Sequence, residues 1–216
     1  MGCNIVWSGK RQVKIIGVKN FKEVNYKVMF DRIEAGTMLI AAAMNEGSLK
    51  ITEIKPNIIK TEIGILKKIG AKKKIQNDKI EIKGSKKIKN INITTAPFPG
   101  FPTDLQAQMM VLLCKANKKS IIREEIFENR FMHVAELKRM NAKIEIKGNK
   151  AIIEGGSIFQ SAELMATDLR ASVSLVLAAL CAQGKSTISR IYHLDRGYEN
   201  IEKKLNKVGA KIKRIN

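Results

Sequence analysis

Cysteine, proline and aromatic residues are scarce in this 216-residue chain, and each shortage removes a class of protein. Cys3, Cys114 and Cys181 are an odd, widely spaced set without a CxxC pair, which argues against a disulfide framework and against a zinc site. Cys114 and Cys181 lie in apolar runs and read as buried packing residues. His133 and His193 are the only histidines and belong to no metal-ligand pattern, so neither metal nor cofactor is expected. No apolar run reaches the roughly 18 residues of a helical membrane span. The start, Met1 to Trp7, lacks the charged and then apolar stretch of a secretion signal. The expected compartment is the cytoplasm, with no membrane partner.

Negative charge is also in short supply. Forty Lys and Arg face twenty Asp and Glu, a formal net charge of +20, and that balance suggests an anionic partner. Only nine of the forty are Arg, the residue whose planar fork grips phosphate at two points. Aromatics are 5% of the chain, too few for base-stacking platforms. The longest lysine run is Lys72-Lys73-Lys74 and the others are scattered. Composition therefore points to a solvated lysine surface and away from nucleic acid. A basic nucleic-acid-binding module stays as an alternative, recognisable by an affinity that falls steeply with salt.

What is present in quantity is repetition. An apolar fraction of 44% is that of a globular protein, and its residues recur in three copies of one order of signals. Asp31, Asp104 and Asp168 each precede an apolar, Ala- or Leu-rich helix, over Ile33 to Met44, Leu105 to Cys114 and Leu169 to Cys181. Short β-branched runs follow, at Ile51 to Ile54, Ile121-Ile122 and Ile188 to Ile191. A second helix then places its apolar residues on one face: Ile63, Leu66 and Ile69; Val134, Leu137 and Met140; Ile201, Leu205 and Val208. These helices stop at Gly70-Ala71-Lys72, Asn141-Ala142-Lys143 and Gly209-Ala210-Lys211, where Gly and Asn tolerate the left-handed conformation of a helix stop. From Asp31 to Ala71, Asp104 to Ala142 and Asp168 to Ala210 the spans are 40, 38 and 42 residues. Alternation such as Lys79-Ile80-Glu81-Ile82-Lys83 predicts half-buried strand after the stop. The expected fold is α/β, with repeats at about 31–97, 98–165 and 166–216 whose apolar first helices face inward. Residues 1–29 predict strands around Val13 to Ile16 that cannot bury a core alone.

Charged residues at helix starts are the candidates for chemistry, because unpaired N–H groups and the positive dipole end collect there. In Phe98-Pro99-Gly100-Phe101-Pro102-Thr103-Asp104 two prolines stiffen a turn that delivers Asp104 to a helix mouth, where capping is its plain role. Arg130 and Arg196 stand near the starts of second helices and could converge on a phosphate or carboxylate, or pair with Glu128 and Asp195. Asp168 and Arg170 place opposite charges two apart at a third helix start.

Five segments carry a family resemblance: Asp31 to Thr37, Phe101 to Gln108, Glu128 to His133, Ala166 to Ser172 and Arg190 to Glu199. In order and spacing they resemble motifs of the UDP-N-acetylglucosamine enolpyruvyl transferases. The resemblance implies the second half of such an enzyme, an inverse α/β barrel domain from residue 30 to 216, preceded by residues 1–29 as closing strands of a first domain. It implies transfer of the enolpyruvyl group of phosphoenolpyruvate to the sugar 3-hydroxyl, the committing step of peptidoglycan synthesis. It also implies Asp104 as the group that takes the hydroxyl proton, Ile126 as a sugar-nucleotide contact and Arg196 as a phosphoenolpyruvate ligand. Arg130, Asp168 and Arg170 would line the closed cleft. The family's first half supplies a lysine and a loop with a reactive cysteine, and none of the three cysteines here stands in that loop. The chain is therefore expected to be a fragment, a split gene product or a relic, inactive alone, with a separately encoded N-terminal half as possible partner. The sister enzyme acting on shikimate 3-phosphate is the nearer alternative.

Overall fold

The computed structural model describes residues 1–10 and 12–215, in two units, Met1–Phe30 and Asp31–Asn216. In the first, β1 (Asn4–Gly9) and β2 (Gln12–Ile16) pair antiparallel, with an irregularity between Trp7 and Gly9. No described residue of this unit is buried.

The larger unit is built around three helices that lack a polar face. These are α1 (Arg32–Met44), α3 (Gln106–Cys114) and α5 (Leu169–Leu180). All nine residues of α3 are buried, the state expected of a helix apolar all round. The three run parallel. At one end Arg170 of α5 reaches Asp104, just ahead of α3, and Gly36 of α1 lies so close to Leu105 that a Cβ would come within 2.4 Å of its Cδ1. At the other end the Lys115 ammonium, at the close of α3, donates to the Met44 carbonyl of α1 and lies 3.8 Å from Cys181 Sγ, at the close of α5. A cation there offsets the negative dipole ends of the helices.

Around this core lie the second helices, α2 (Lys60–Lys68), α4 (His133–Arg139) and α7 (Ile201–Lys207). Their stops share one geometry. Gly70, Asn141 and Gly209 have φ of 110°, 71° and 101°, and Ala71, Ala142 and Ala210 donate back to Leu66, Leu137 and Leu205, the six-to-one bond of a Schellman end. Outside sit the sheets. One has the order β3-β5-β4, from β3 (Ser48–Ile51), β4 (Lys72–Gln76) and β5 (Lys79–Lys83). A second has the order β6-β7-β9-β8, from β6 (Ile93–Thr94), β7 (Ser120–Arg123), β8 (Ile144–Lys147) and β9 (Lys150–Ile153). A parallel pair, β10 (Glu163–Met165) and β11 (Thr187–Ser189), completes the set. Helices inside and sheets outside make an inverse α/β barrel, as expected.

Two strands end earlier than their β-branched runs. Glu53 has φ 57° and Arg190 φ 58°, so the chain leaves the extended region before Ile54 in one case and before Ile191 in the other. Ile54 instead packs into the core at 1% exposure, and Ile191 leads into the short α6 (Tyr192–Asp195). Cys114 is buried as expected, its thiol pushed up to about 12 by burial. Cys181 is only half-buried, where its thiol donates to Asn45 Oδ1.

Candidate active site

Three aspartates precede the three inner helices, yet only two of them cap. Asp31 accepts from the backbone N–H groups of Ile33 and Glu34, and Asp168 from those of Arg170 and Ala171. Asp104 does neither, which corrects the capping role that its position suggests. Thr103–Leu105 form a 3-10 turn, and Leu105, which has no side-chain acceptor, is the residue ahead of α3. The Asp104 carboxylate is thereby left for other partners.

Those partners are arginines. Arg130 Nη2 lies 2.8 Å from Asp104 Oδ1 and Arg170 Nη2 3.0 Å from Oδ2. Both guanidiniums are largely withdrawn from water, at 16% and 17% side-chain exposure, whereas Asp104 keeps 37%. Burial pushes the Asp104 carboxyl up, but hydrogen bonds and charge from Arg170 and Arg130 outweigh it, and the net direction is down. Two cations on one anion leave a positive excess beside the gathered N-termini of α1, α3 and α5, a setting suited to a further anion. The Arg130 guanidinium also lies 4.8 Å over the Phe127 ring.

A buried network fixes this arrangement. Gln108 Nε2 donates to the Asp104 carbonyl (3.0 Å) and to Thr37 Oγ1 (3.1 Å). The Tyr198 hydroxyl, wholly buried, meets Thr37 Oγ1 at 2.9 Å and Gln108 Nε2 at 3.3 Å, beside the Arg170 side chain. On the other side Glu124, 4% exposed, accepts from Thr95 Oγ1, Thr103 Oγ1 and the N–H groups of Ile126 and Phe127. It therefore ties the turn bearing Asp104 to the segment leading to Arg130. Sequence reading missed Glu124, because Arg123-Glu124-Glu125 gives no sign of which carboxylate turns inward. Tyr198 was hidden for a like reason, inside a segment quoted for its charges.

Of the other candidates, Ile126 is 44% exposed, with its backbone held by Glu124. Asp168 adds its charge to the surroundings of His133, a buried imidazole driven down to about 4, chiefly by burial. Arg196 is not drawn into the cluster. It closes α6 as an exposed residue, and no ion pair holds it among the described residues. Its neighbour Asp195 pairs with Arg214 at 2.7 and 2.9 Å, while Gly197 packs against Leu169 at the start of α5.

The sequence model of EPSP synthase (3-phosphoshikimate 1-carboxyvinyltransferase) matches residues 1–205. The chain belongs to the EPSP synthase family. Within it, this chain is 74% identical over 216 residues to UDP-N-acetylglucosamine 1-carboxyvinyltransferase of Pelagibacter ubique (strain HTCC1062), covering all of this chain and 52% of that protein. It is 48% identical over 215 residues to the enzyme of that name from Desulfosudis oleivorans, again 100% against 52%. The chain spans about half the length of the curated relatives it matches. Among solved structures it is similar to the enolpyruvyl transferase NikO from Streptomyces tendae, with a TM-score of 0.86 and 26% identity over 98% of this chain and 51% of that one. EPSP synthase of Acinetobacter baumannii shares the fold, with a TM-score of 0.74 and 21% identity over 98% of this chain and 53% of that one.

Proposed function

We propose that this chain is the second half of an enzyme moving the enolpyruvyl group of phosphoenolpyruvate to the 3-hydroxyl of UDP-N-acetylglucosamine, at the entry to peptidoglycan synthesis. The observation that carries it is the Asp104 carboxylate held between Arg130 and Arg170 where the inner helices begin. Asp104 takes the proton of the sugar hydroxyl as its oxygen bonds to C2 of phosphoenolpyruvate; the C2–C3 double bond opens and C3 takes up a proton, and in a later step C3 gives up a proton as phosphate leaves C2 and the double bond re-forms. In the free chain the arginines make that carboxylate a weak base. A phosphate drawing Arg170 or Arg130 to itself frees Asp104 and raises its basicity, so binding and proton transfer are coupled. Arg196, exposed and in no ion pair among the described residues, holds the phosphoenolpyruvate anion, and Ile126 offers an apolar contact to the sugar nucleotide. Asp168 acts by holding the start of α5, and with it Arg170. The other half contributes the remaining ligands, and this half alone is inactive.

Phosphate release from phosphoenolpyruvate plus UDP-N-acetylglucosamine tests this. We expect none from the chain alone, release when it is mixed with a separately produced first half, and a loss of at least about a hundredfold with Asp104→Asn. Turnover by the lone chain, an active Asp104→Asn mixture, or release that needs shikimate 3-phosphate in place of the sugar nucleotide would overturn it.

A further inference from the structure

Nine of the twenty net positive charges of this protein lie in residues 48–91. Residues 48–91 hold thirteen lysines against four acidic residues and no arginine. Residues 98–165, which include the second module's sheet and helices, hold ten basic residues against eight acidic ones. Lysines that look scattered along the chain are gathered by strand pairing. In the sheet β3-β5-β4, Lys83 stands opposite Lys72, Lys50 and Lys74 flank Glu81, and Lys79 completes the outward side. The alternate residues Ile80 and Ile82 face the core at 0% exposure. Five lysines thus share one three-stranded surface with a single carboxylate.

Adjacent strands lie about 4.8 Å apart, inside the Debye length of about 8 Å at physiological salt, so these ammonium groups act as one field. Among the described residues none of the five forms an ion pair, and the facing Lys72 and Lys83 repel each other. The matching hairpin of the second module, β8–β9, differs: Lys147 is paired with Glu145 at 3.1 Å. Guarding an exposed strand edge explains lysines on β3 and β4 but not Lys79 and Lys83 on the central strand.

We propose that this sheet face docks the protein onto an anionic lipid surface. The face is broad and open, and its cations are all lysines. It has neither the guanidinium forks nor the rings on which nucleic-acid recognition relies, and diffuse attraction to a charged bilayer needs neither. A peripheral contact of this kind requires no spanning helix, and no helix among the described residues is long and apolar enough to cross a membrane. It is independent of the transfer chemistry proposed above.

Co-sedimentation of the chain with phosphatidylcholine vesicles, with and without about a third phosphatidylglycerol, provides the test. Binding is expected only to the anionic vesicles and is abolished in about 0.5 M salt. The quadruple change K50Q/K72Q/K74Q/K83Q is expected to weaken it by at least about tenfold. The change K118Q/K143Q/K185Q/K207Q removes equal charge from exposed positions elsewhere and is expected to leave binding within about twofold. Three outcomes overturn the proposal: no binding to anionic vesicles, equal loss in both variants, or a single-stranded RNA bound more tightly than the vesicles through the same four lysines. A circular dichroism spectrum unchanged between the variants excludes misfolding as the cause of a loss.

Discussion

At the scale of single residues, the decisive fact is that Asp104 gives up a helix cap for two arginines. Removing its charge strands two guanidiniums that are mostly out of water, and an unsatisfied charged group of that kind costs about 1–3 kcal/mol. Asp104→Asn is expected to lower stability by that amount at pH 7, read as a lower urea midpoint at an unchanged slope. The arginines hold the folded carboxyl below its unfolded value of about 3.9, so its contribution is present above pH 4 and disappears as pH falls through the lower folded value. The variant should therefore converge on the parent chain only in strong acid, and a constant gap down to pH 2 would refute the pairing. His133 works in another window. Its folded value of about 4 lies below the ordinary 6.5, so between those values the unfolded chain binds the extra proton. Stability is full above pH 6.5 and falls by about 3 kcal/mol on the way to pH 4. His133→Leu should flatten that limb, measured as urea midpoints at pH 7 and 4.5, while the Asp104 limb below pH 4 remains.

At the scale of elements, the outer strands are seated on the ends of the inner helices by glycines rather than by side chains. A Cβ on Gly84 would lie 2.7 Å from the Ala43 carbonyl oxygen, and one on Gly155 2.5 Å from that of Ala116, the first in the last turn of α1 and the second just after α3. Backbone cannot step aside as a side-chain tip can. Gly155 also has φ 77°, which an L-residue adopts at a cost. Gly155→Ala is expected to destabilise by about 3 kcal/mol, overpacking and strain together, and Gly84→Ala by somewhat less. Equal or negligible shifts in urea unfolding would count against this seating. Elements were also where the amino-acid order was most readable. The helix stops at Gly70, Asn141 and Gly209 rest on local backbone chemistry that three residues suffice to encode. Apolar stretches without a polar stripe identified the inner helices for the same reason. The early strand ends at Glu53 and Arg190 were not readable, since nothing in a Glu or an Arg announces a left-handed backbone. The site was half legible. Asp104, Arg130 and Arg170 stood out as charges at helix starts, but their mutual pairing depends on which helices lie side by side. The inward turn of Glu124 depends on hydroxyls of Thr95 and Thr103, both more than twenty residues away.

For the whole molecule, the balance to be decided is between local ion pairs and a net charge of +20. Salt weakens both, with opposite effects on stability. Exposed pairs such as Lys119–Glu154, at 58% and 50% side-chain exposure, contribute only about 0–1 kcal/mol each, and the less exposed Asp104 cluster is screened less. Repulsion among uncompensated lysines, by contrast, grows with their density and is greatest in the compact state. Within the sheet β3-β5-β4 it includes a directly opposed pair, Lys72 and Lys83. Repulsion should therefore outweigh the pairs, and raising sodium chloride from about 0.02 to 0.3 M should raise the urea midpoint. Chloride is the anion to use, because sulfate strengthens burial whatever the charge. The four-lysine variant K50Q/K72Q/K74Q/K83Q should start from a higher midpoint at low salt and gain less from the same addition, since it has already shed the densest part of the repulsion. A midpoint that falls with chloride in the parent chain would mean that attraction, not repulsion, dominates the surface, and the lysine face would then have to be satisfied from within the fold.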